Sequence, residues 1–157
     1  MAKLEVEKAR ALANGDKKVT GFKGGVRSLE NVALEVGDQF TFPTEFEVYE
    51  QKIGDNTAQY IWVTLADGNA KRFYPSTFTK SRTVYNEDGT STGERKFTLG
   101  TAAEEYRKHG TDEEAMRALA GKTVKVTNME TIRTLRFGTT SLMNTQIPII
   151  DIVVAAA

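Results

Sequence analysis

Apolar and polar residues alternate most clearly in residues 59–79, QYIWVTLADGNAKRFYPSTFT. Every second residue from Ile61 to Leu65 is aliphatic, and this period of two predicts a half-buried β-strand. Asp67-Gly68 then predicts a tight turn into a second strand. The number of residues in the loop decides which side chains of the two strands share a face. We assume an even number here, which pairs an even-numbered residue of the first strand with an odd-numbered residue of the second. One face would carry Tyr60, Trp62, Thr64, Lys71 and Phe73, and the other would carry Ile61, Val63, Leu65 and Tyr74.

The face that mixes aromatic and basic side chains has two interpretations. Aromatic rings beside a cation on an exposed sheet can stack nucleobases, and each stacked base contributes roughly 1–3 kcal/mol. Alternatively, Trp62 and Phe73 pack beneath a helix, because aromatic side chains are mostly core material. The hairpin by itself leaves both interpretations open.

The segments before the hairpin predict a helix, an arm and a bent strand. Residues 3–13 are rich in helix formers and are followed by Asn14-Gly15, which predicts a short helix. The glycine- and lysine-rich residues 16–27, DKKVTGFKGGVR, favour an extended, basic arm. Residues 31–50 alternate again, and Pro43 predicts a bend because proline interrupts a strand ladder.

The segments after the hairpin predict a second hairpin, two helices and two strands. Residues 86–93, NEDGTSTG, have the composition of an exposed turn between strands. Thr101 and Thr111 each stand three residues before a glutamate, which is the spacing of a helix capping box. Residues 122–137 alternate, and residues 147–154 are nearly all apolar. The pattern predicts an α+β protein that is mainly β.

The inventory of residues excludes several classes of protein. The chain has 157 residues and no cysteine, which excludes disulfides and thiolate sites and favours the cytoplasm. The sequence has no run of 18 apolar residues, so we expect no membrane partner. His109 is the single histidine and stands at a predicted helix end, so no Ser-His-acid triad can be proposed with specificity. We therefore expect no enzyme activity, no cofactor and no metal site.

The charges balance overall, at 21 basic and 21 acidic residues, but they are unevenly distributed. Residues 1–27 carry seven Lys and Arg against three acids, whereas residues 28–56 carry one against seven. Residues 57–82 and 121–137 each carry four against one. Either these blocks cancel within one chain, or the acidic block of one copy faces the basic arm of the next.

The order of elements is three or more strands, a helical segment and two strands. This is the order in an OB-fold, a small Greek-key barrel whose second and third strands bind single strands. Over residues 32–154 the chain therefore resembles single-stranded DNA-binding proteins of the phage and bacterial OB type, and its general character resembles small tailed-phage proteins. The resemblance implies an OB-like barrel at residues 31–157, preceded by a helix and basic arm at residues 1–30.

These observations predict non-enzymatic binding of single-stranded nucleic acid through an aromatic and basic sheet face. The alternative is a structural protein of a phage particle, which would form a homo-oligomer or contact a virion partner through the arm. The protein would act in the host cytoplasm or in the virion. The predicted binding residues are Tyr60, Trp62, Lys71, Arg72, Phe73, Tyr74, Lys80, Arg82, Lys125, Arg133 and Arg136.

Overall fold

The computed structural model describes residues 2–22, 34–136 and 138–153. Antiparallel strands dominate these residues and short helices join them, which confirms the predicted α+β class that is mainly β. The helices are α1 (Ala2–Ala13), α2 (Ser76–Thr79), α3 (Thr101–Arg107) and α4 (Asp112–Leu119). The strands are β1 (Lys17–Val19), β2 (Gln39–Thr41), β3 (Val48–Ile53), β4 (Asn56–Leu65), β5 (Ala70–Phe73), β6 (Ser81–Tyr85), β7 (Ser91–Phe97), β8 (Thr123–Leu135) and β9 (Leu142–Ile152).

Seven strands form one sheet in the order β1-β3-β4-β2-β8-β9, with β5 beside β4. β6 and β7 form a separate two-stranded ribbon. The turn that joins them spans residues 86–90, whereas residues 91–93 of the predicted turn belong to β7. Within the described ranges, β1 and β9 stand at opposite ends of the sheet and do not pair, so these strands do not close into a barrel. The predicted α+β class is therefore confirmed. The closed barrel that an OB-like layout predicts is not formed by the described strands.

The strand predicted to bend at Pro43 is divided into two strands. β2 ends at Thr41 and β3 begins at Val48, and both pair with β4. β3 lies along the first half of β4, whereas β2 pairs with its last two residues. Residues 31–33 of the predicted strand lie outside the described residues, as does the boundary predicted between residues 30 and 31.

The turn between β4 and β5 contains an odd number of residues. The Leu65 N–H donates to the Asn69 carbonyl at 2.7 Å, which leaves three loop residues, and Gly68 takes a left-handed φ of +86°. The face assignment made from the sequence is therefore wrong, because it assumed an even loop. One face carries Ile61, Val63, Lys71 and Phe73, and the other carries Tyr60, Trp62, Arg72 and Tyr74.

The main core lies between one face of this sheet and helices α2, α3 and α4. Phe73 is fully buried there, with its ring centroid 5.0 Å from that of Phe42 and 5.2 Å from that of Phe78. The apolar residues of α4 face the same core, because residues three and four apart lie on one side of a helix. The core also contains Phe40, Ile61, Val63, Ala103, Tyr106, Ala115, Met116, Leu119, Val124, Val126 and Ile150.

The two predicted capping boxes have different outcomes. Thr111 is the N-cap of α4, and its hydroxyl accepts the Glu114 N–H at 3.2 Å. α3 begins one residue earlier than its predicted box requires, because Gly100 and not Thr101 occupies the N-cap position. The Thr101 hydroxyl instead accepts the Ile152 N–H at 2.9 Å and ties α3 to β9. The first capping box is therefore wrong, because a contact from a distant strand takes the place of the local one.

The Asp151 carboxylate on β9 completes the cap of α3 and makes stability depend on pH. It accepts the Thr101 N–H at 2.8 Å and the Thr127 hydroxyl at 2.7 Å, and these hydrogen bonds lower the pKa of Asp151. A lowered folded-state pKa stabilises the protein above the unfolded pKa and ceases to do so as pH falls through the folded pKa. We expect Asp151→Asn to flatten the decline in unfolding free energy between about pH 5 and pH 2, measured by urea denaturation. An unchanged pH profile would contradict this role.

Candidate functional site

The sheet face opposite the main core carries a second set of aromatic side chains. These residues project from β3, β4 and the end of β5, and α1 lies over them. We call this set the outer aromatic cluster. It contains Tyr49, Ala58, Tyr60, Trp62 and Tyr74, with Ala11 of α1 packed on top.

Tyr60 is the centre of the cluster and contacts three other rings. Its ring stacks on that of Tyr49 with centroids 5.7 Å apart and planes 20° from parallel. Trp62 meets Tyr60 edge to face at 5.4 Å, and Tyr74 lies 5.8 Å away. Stacked and edge-to-face pairs are both favourable for aromatic rings. The rings are therefore held in defined orientations on the sheet.

Arg72 places a positive charge over the rings. Its guanidinium carbon lies 4.9 Å from the centre of the Tyr60 ring and 5.5 Å from that of Trp62. The guanidinium also forms an ion pair with the Asp16 carboxylate at 3.2 Å. Asp16 in turn accepts a hydrogen bond from the Tyr60 hydroxyl. Burial and this hydrogen bond raise the pKa of Tyr60, so the phenol keeps its proton and donates.

The hydrogen bonding of the cluster is incomplete at Trp62. The Tyr74 hydroxyl donates to the Gln51 side-chain carbonyl at 2.6 Å, and burial raises the pKa of Tyr74. The buried Trp62 indole N–H has no acceptor among the described residues. Leaving such a donor unpaired costs about 1–3 kcal/mol. The cluster is therefore a polar aromatic surface beneath a cover, unlike the aliphatic and phenylalanine-rich main core.

Helix α1 covers the outer aromatic cluster and contacts it through few side chains. Leu4 and Ala11 pack against the rings, whereas Val6 and Leu12 are 50% and 49% exposed. The Lys8 ammonium lies 3.7 Å from a Glu47 carboxylate oxygen, across the gap between the helix and the sheet. α1 is therefore docked on the sheet by a limited apolar contact and one half-buried ion pair.

The basic arm begins as a strand of the same sheet. β1 pairs with β3, which places Lys17 opposite Glu50. The Lys18 ammonium lies 3.1 Å from Glu47, and Lys18 and Lys8 lower the pKa of that carboxyl. Lys8, Lys17 and Lys18 of the basic block at residues 1–27 therefore lie beside acidic residues of the block at residues 28–56 in the same chain. Residues 23–30, which include the rest of the predicted arm, lie outside the described residues.

The structure brings together four of the predicted binding residues and separates the others. Lys71 and Phe73 lie on the opposite face of the hairpin, and the fully buried Phe73 ring belongs to the main core. Phe73 is therefore removed from the predicted stacking surface, because the odd loop turns its side chain inward. The four that share the outer aromatic cluster are Tyr60, Trp62, Arg72 and Tyr74.

The remaining predicted cations are dispersed. Lys125 and Arg136 are eleven residues apart on extended chain, which corresponds to about 36 Å at 3.3 Å per residue. Arg133 lies between them and forms an ion pair with Glu87 at 3.6 Å. Arg82 lies on the ribbon, where it pairs in register with Lys96, and Lys80 immediately precedes β6. These cations do not extend the outer aromatic cluster into one basic patch.

Three residues of the site were missed in the sequence: Asp16, Tyr49 and Gln51. The missed signal for Tyr49 and Gln51 was the turn at Gly54-Asp55, which joins β3 to β4 as a hairpin. That hairpin places Tyr49 opposite Tyr60. The composition of residues 52–58 predicts a polar loop instead, and this prediction is wrong because most of these residues belong to β3 and β4. No local pattern identifies Asp16, because its partners lie on β4 and β5.

A separate cavity of about 630 Å³ lies beside α3 and α4. Two of its polar side chains are already engaged. The Tyr106 hydroxyl donates to Asp112 at 2.6 Å, and Arg107 donates to the Phe78 and Thr98 carbonyls. None of the residues that line this cavity belongs to the outer aromatic cluster.

Comparison of the chain with protein family models, with curated proteins and with solved structures found no match. Within the described ranges, no group of three or more His, Asp or Glu residues is placed to hold a metal ion. No helix in those ranges is both long and apolar enough to cross a membrane. The geometry of the outer aromatic cluster therefore carries the functional argument.

Proposed function

We propose that the protein binds single-stranded nucleic acid through the outer aromatic cluster. The observation that carries this proposal is the position of Arg72, whose guanidinium lies over the Tyr60 and Trp62 rings. Stacked aromatic rings bind bases without regard to sequence, and an adjacent arginine binds phosphate. One sheet face thus combines the two kinds of contact that single strands require.

The composition of the two faces supports this assignment. The main core fills the opposite face with aliphatic and phenylalanine side chains and packs against three helices. The outer aromatic cluster instead uses tyrosine, tryptophan and arginine, and it keeps a buried indole N–H that lacks an acceptor among the described residues. A face that served packing alone would gain from aliphatic residues, since polar groups are costly to bury.

Access to this face requires movement of α1. Trp62 is only 7% exposed, and α1 packs on the cluster to which it belongs. A base can therefore stack on Trp62 only after α1 leaves the sheet, and the energy of undocking is subtracted from the binding energy. The closed conformation described here is the unliganded arrangement in this proposal.

The test measures binding of a fluorescent oligo(dT) across a range of salt concentrations. Arg72→Gln should flatten the slope of log affinity against log salt by about 0.7, because one phosphate contact is lost. Trp62→Leu should weaken binding by about 1–3 kcal/mol through loss of one stacked base. Lys125→Gln is the control, because it removes a charge that lies outside the cluster on β8.

Thermal unfolding of each variant separates a binding defect from a folding defect. Cooperative unfolding together with the losses above supports the proposal. Equal losses in Lys125→Gln and Arg72→Gln would show that binding is not centred on the cluster. Absence of binding near 20 mM salt, where phosphate contacts are strongest, would reject nucleic-acid binding.

A structural subunit of a virus particle is the second candidate function that we propose. The observation that favours it is the ribbon, where β7 pairs only with β6 within the described ranges and is largely exposed. An open strand edge is a ready surface for pairing with another chain. The charge argument for this candidate is weaker, because Lys18 pairs with Glu47 of the same chain. Sedimentation over a wide concentration range tests it, and a monomer throughout would reject self-assembly.

A further inference from the structure

We propose that α1 is a displaceable cover and that Asp16 at its end competes with nucleic acid for Arg72. This inference rests on the function proposed for the outer aromatic cluster and adds how access to the cluster is controlled. It assigns two states to the protein, one with α1 docked and Asp16 bound to Arg72, and one with α1 released and phosphate bound to Arg72.

The docked state of α1 is held by few groups. Leu4 and Ala11 supply its apolar contacts to the cluster, and alanine buries little surface. The Glu5–Lys8 and Glu7–Arg10 ion pairs lie within the helix and do not attach it to the sheet. The Lys8–Glu47 pair is half-buried and its charged atoms lie 3.7 Å apart, so solvent still screens it and it adds only a modest stabilisation. The docked helix can therefore be released without loss of the main core.

The docked state also leaves Trp62 incompletely bonded. Its indole N–H is buried in the cluster on which α1 packs, and it has no acceptor among the described residues. Release of the helix gives this donor access to water or to a polar group of a ligand. A donor that is satisfied only in the open state favours opening, since buried polar groups are normally paired.

Asp16 couples the movement of α1 to the charge on Arg72. The Asp16 N–H donates to the Ala11 carbonyl at 3.0 Å, which attaches this residue to the last turn of the helix. Its carboxylate holds the Arg72 guanidinium at 3.2 Å, and the carboxylate side chain is only 8% exposed. A guanidinium binds carboxylate and phosphate with the same forked geometry. An incoming phosphate would therefore displace Asp16 and loosen the end of α1.

The hinge lies between the helix and β1. Gly15 has a φ of +103°, and no described atom lies within 4 Å of the position that a Cβ would occupy there. β1 begins two residues later at Lys17 and is paired with β3, so the chain from Lys17 onward stays in the sheet. The cover can consequently swing away while its anchor remains.

The first test needs no ligand, because Trp62 is the only tryptophan in the chain. Ala11→Asp places a charge at the buried contact and should raise acrylamide quenching of Trp62 about threefold by releasing α1. Leu12→Asp is the matched control, because the neighbouring side chain is half exposed on the same helix. Global unfolding of Ala11→Asp, or an unchanged shielding of Trp62, would overturn the proposal of a removable cover.

The second test measures competition at Arg72 in the full chain. Asp16→Asn removes the competing charge, retains a carbonyl that can accept from Tyr60, and should tighten oligo(dT) binding about threefold to tenfold. Unchanged or weaker binding by a folded Asp16→Asn variant would overturn the competition.

A reversible cross-link separates failure of the cover from failure of the function. The chain contains no cysteine, so Lys8→Cys with Glu47→Cys can be joined selectively by a bis-thiosulfonate reagent and released by a thiol. The linked form should bind oligo(dT) at least about tenfold more weakly than the released form. Equal tight binding by both forms would overturn the cover and leave the proposed function intact. Absence of binding by either form, and by the unsubstituted chain, would reject the function and with it the competition at Arg72.

Discussion

Gly100→Ala is expected to destabilise the protein by about 3–5 kcal/mol, a large part of the 5–15 kcal/mol of a typical domain. Gly100 has a φ of +105°, in the left-handed region where a side chain is strained. A Cβ there would overlap the Ile150 carbonyl oxygen and lie 2.7 Å from the Ile150 nitrogen. β9 cannot easily yield, because the Ile150 N–H donates to Leu99 at 2.8 Å and Ile150 is fully buried.

Gly37→Ala is the control that separates the two sources of this loss. Gly37 has a similar φ of +99°, but no described atom lies within 4 Å of the position that a Cβ would take. It should cost only the backbone strain, about 1–2 kcal/mol. Urea denaturation measures both variants. Equal losses would show that the close approach of Gly100 to β9 does not contribute.

Phe73→Ala is expected to cost about 3–5 kcal/mol, the usual loss for a buried phenylalanine. Its ring is fully buried and contacts the rings of Phe40, Phe42 and Phe78 at centroid distances of 5.8, 5.0 and 5.2 Å. Removal leaves a cavity among aromatic side chains that are held by three helices and a sheet. Denaturation of the purified variant measures the loss.

Phe97→Ala makes the same chemical change at the surface. Phe97 is 39% exposed, and the Arg107 guanidinium carbon lies 5.1 Å from the centre of its ring. The Phe97→Ala substitution should lower the free energy of unfolding by less than about 1 kcal/mol. A Phe73→Ala variant that kept its stability and lost only nucleic-acid binding would return Phe73 to the binding surface.

Local signals were sufficient for many of the elements. α1, the turn of the β6–β7 ribbon and the cap of α4 at Thr111 depend on residues that are neighbours in the chain. The cap of α3 could not be predicted in this way, because it depends on a residue that is distant in the chain. The Asp151 carboxylate accepts the Thr101 N–H, and the two residues are 50 positions apart. Predictions failed where a distant strand replaced the local partner.

The number of residues in one loop decided which aromatic side chains share a face. Asp67-Gly68 indicated a turn correctly, but composition does not distinguish a loop of two residues from a loop of three. The third residue moves Phe73 into the main core and Arg72 onto the rings of the outer aromatic cluster. A change of one in the loop length reverses every side chain on one strand, because strands have a period of two.

The amino-acid sequence by itself determined the α+β class, the presence of a hairpin within residues 59–79 and the aromatic and basic residues of that hairpin. Only the tertiary structure decided that α1 covers one face and that Asp16 holds Arg72 across 56 residues of chain and Tyr60 across 44. The physical reason is that strand periodicity and turns are encoded by neighbouring residues. The partner of a buried polar group is instead chosen by the packing of elements that are far apart in the chain.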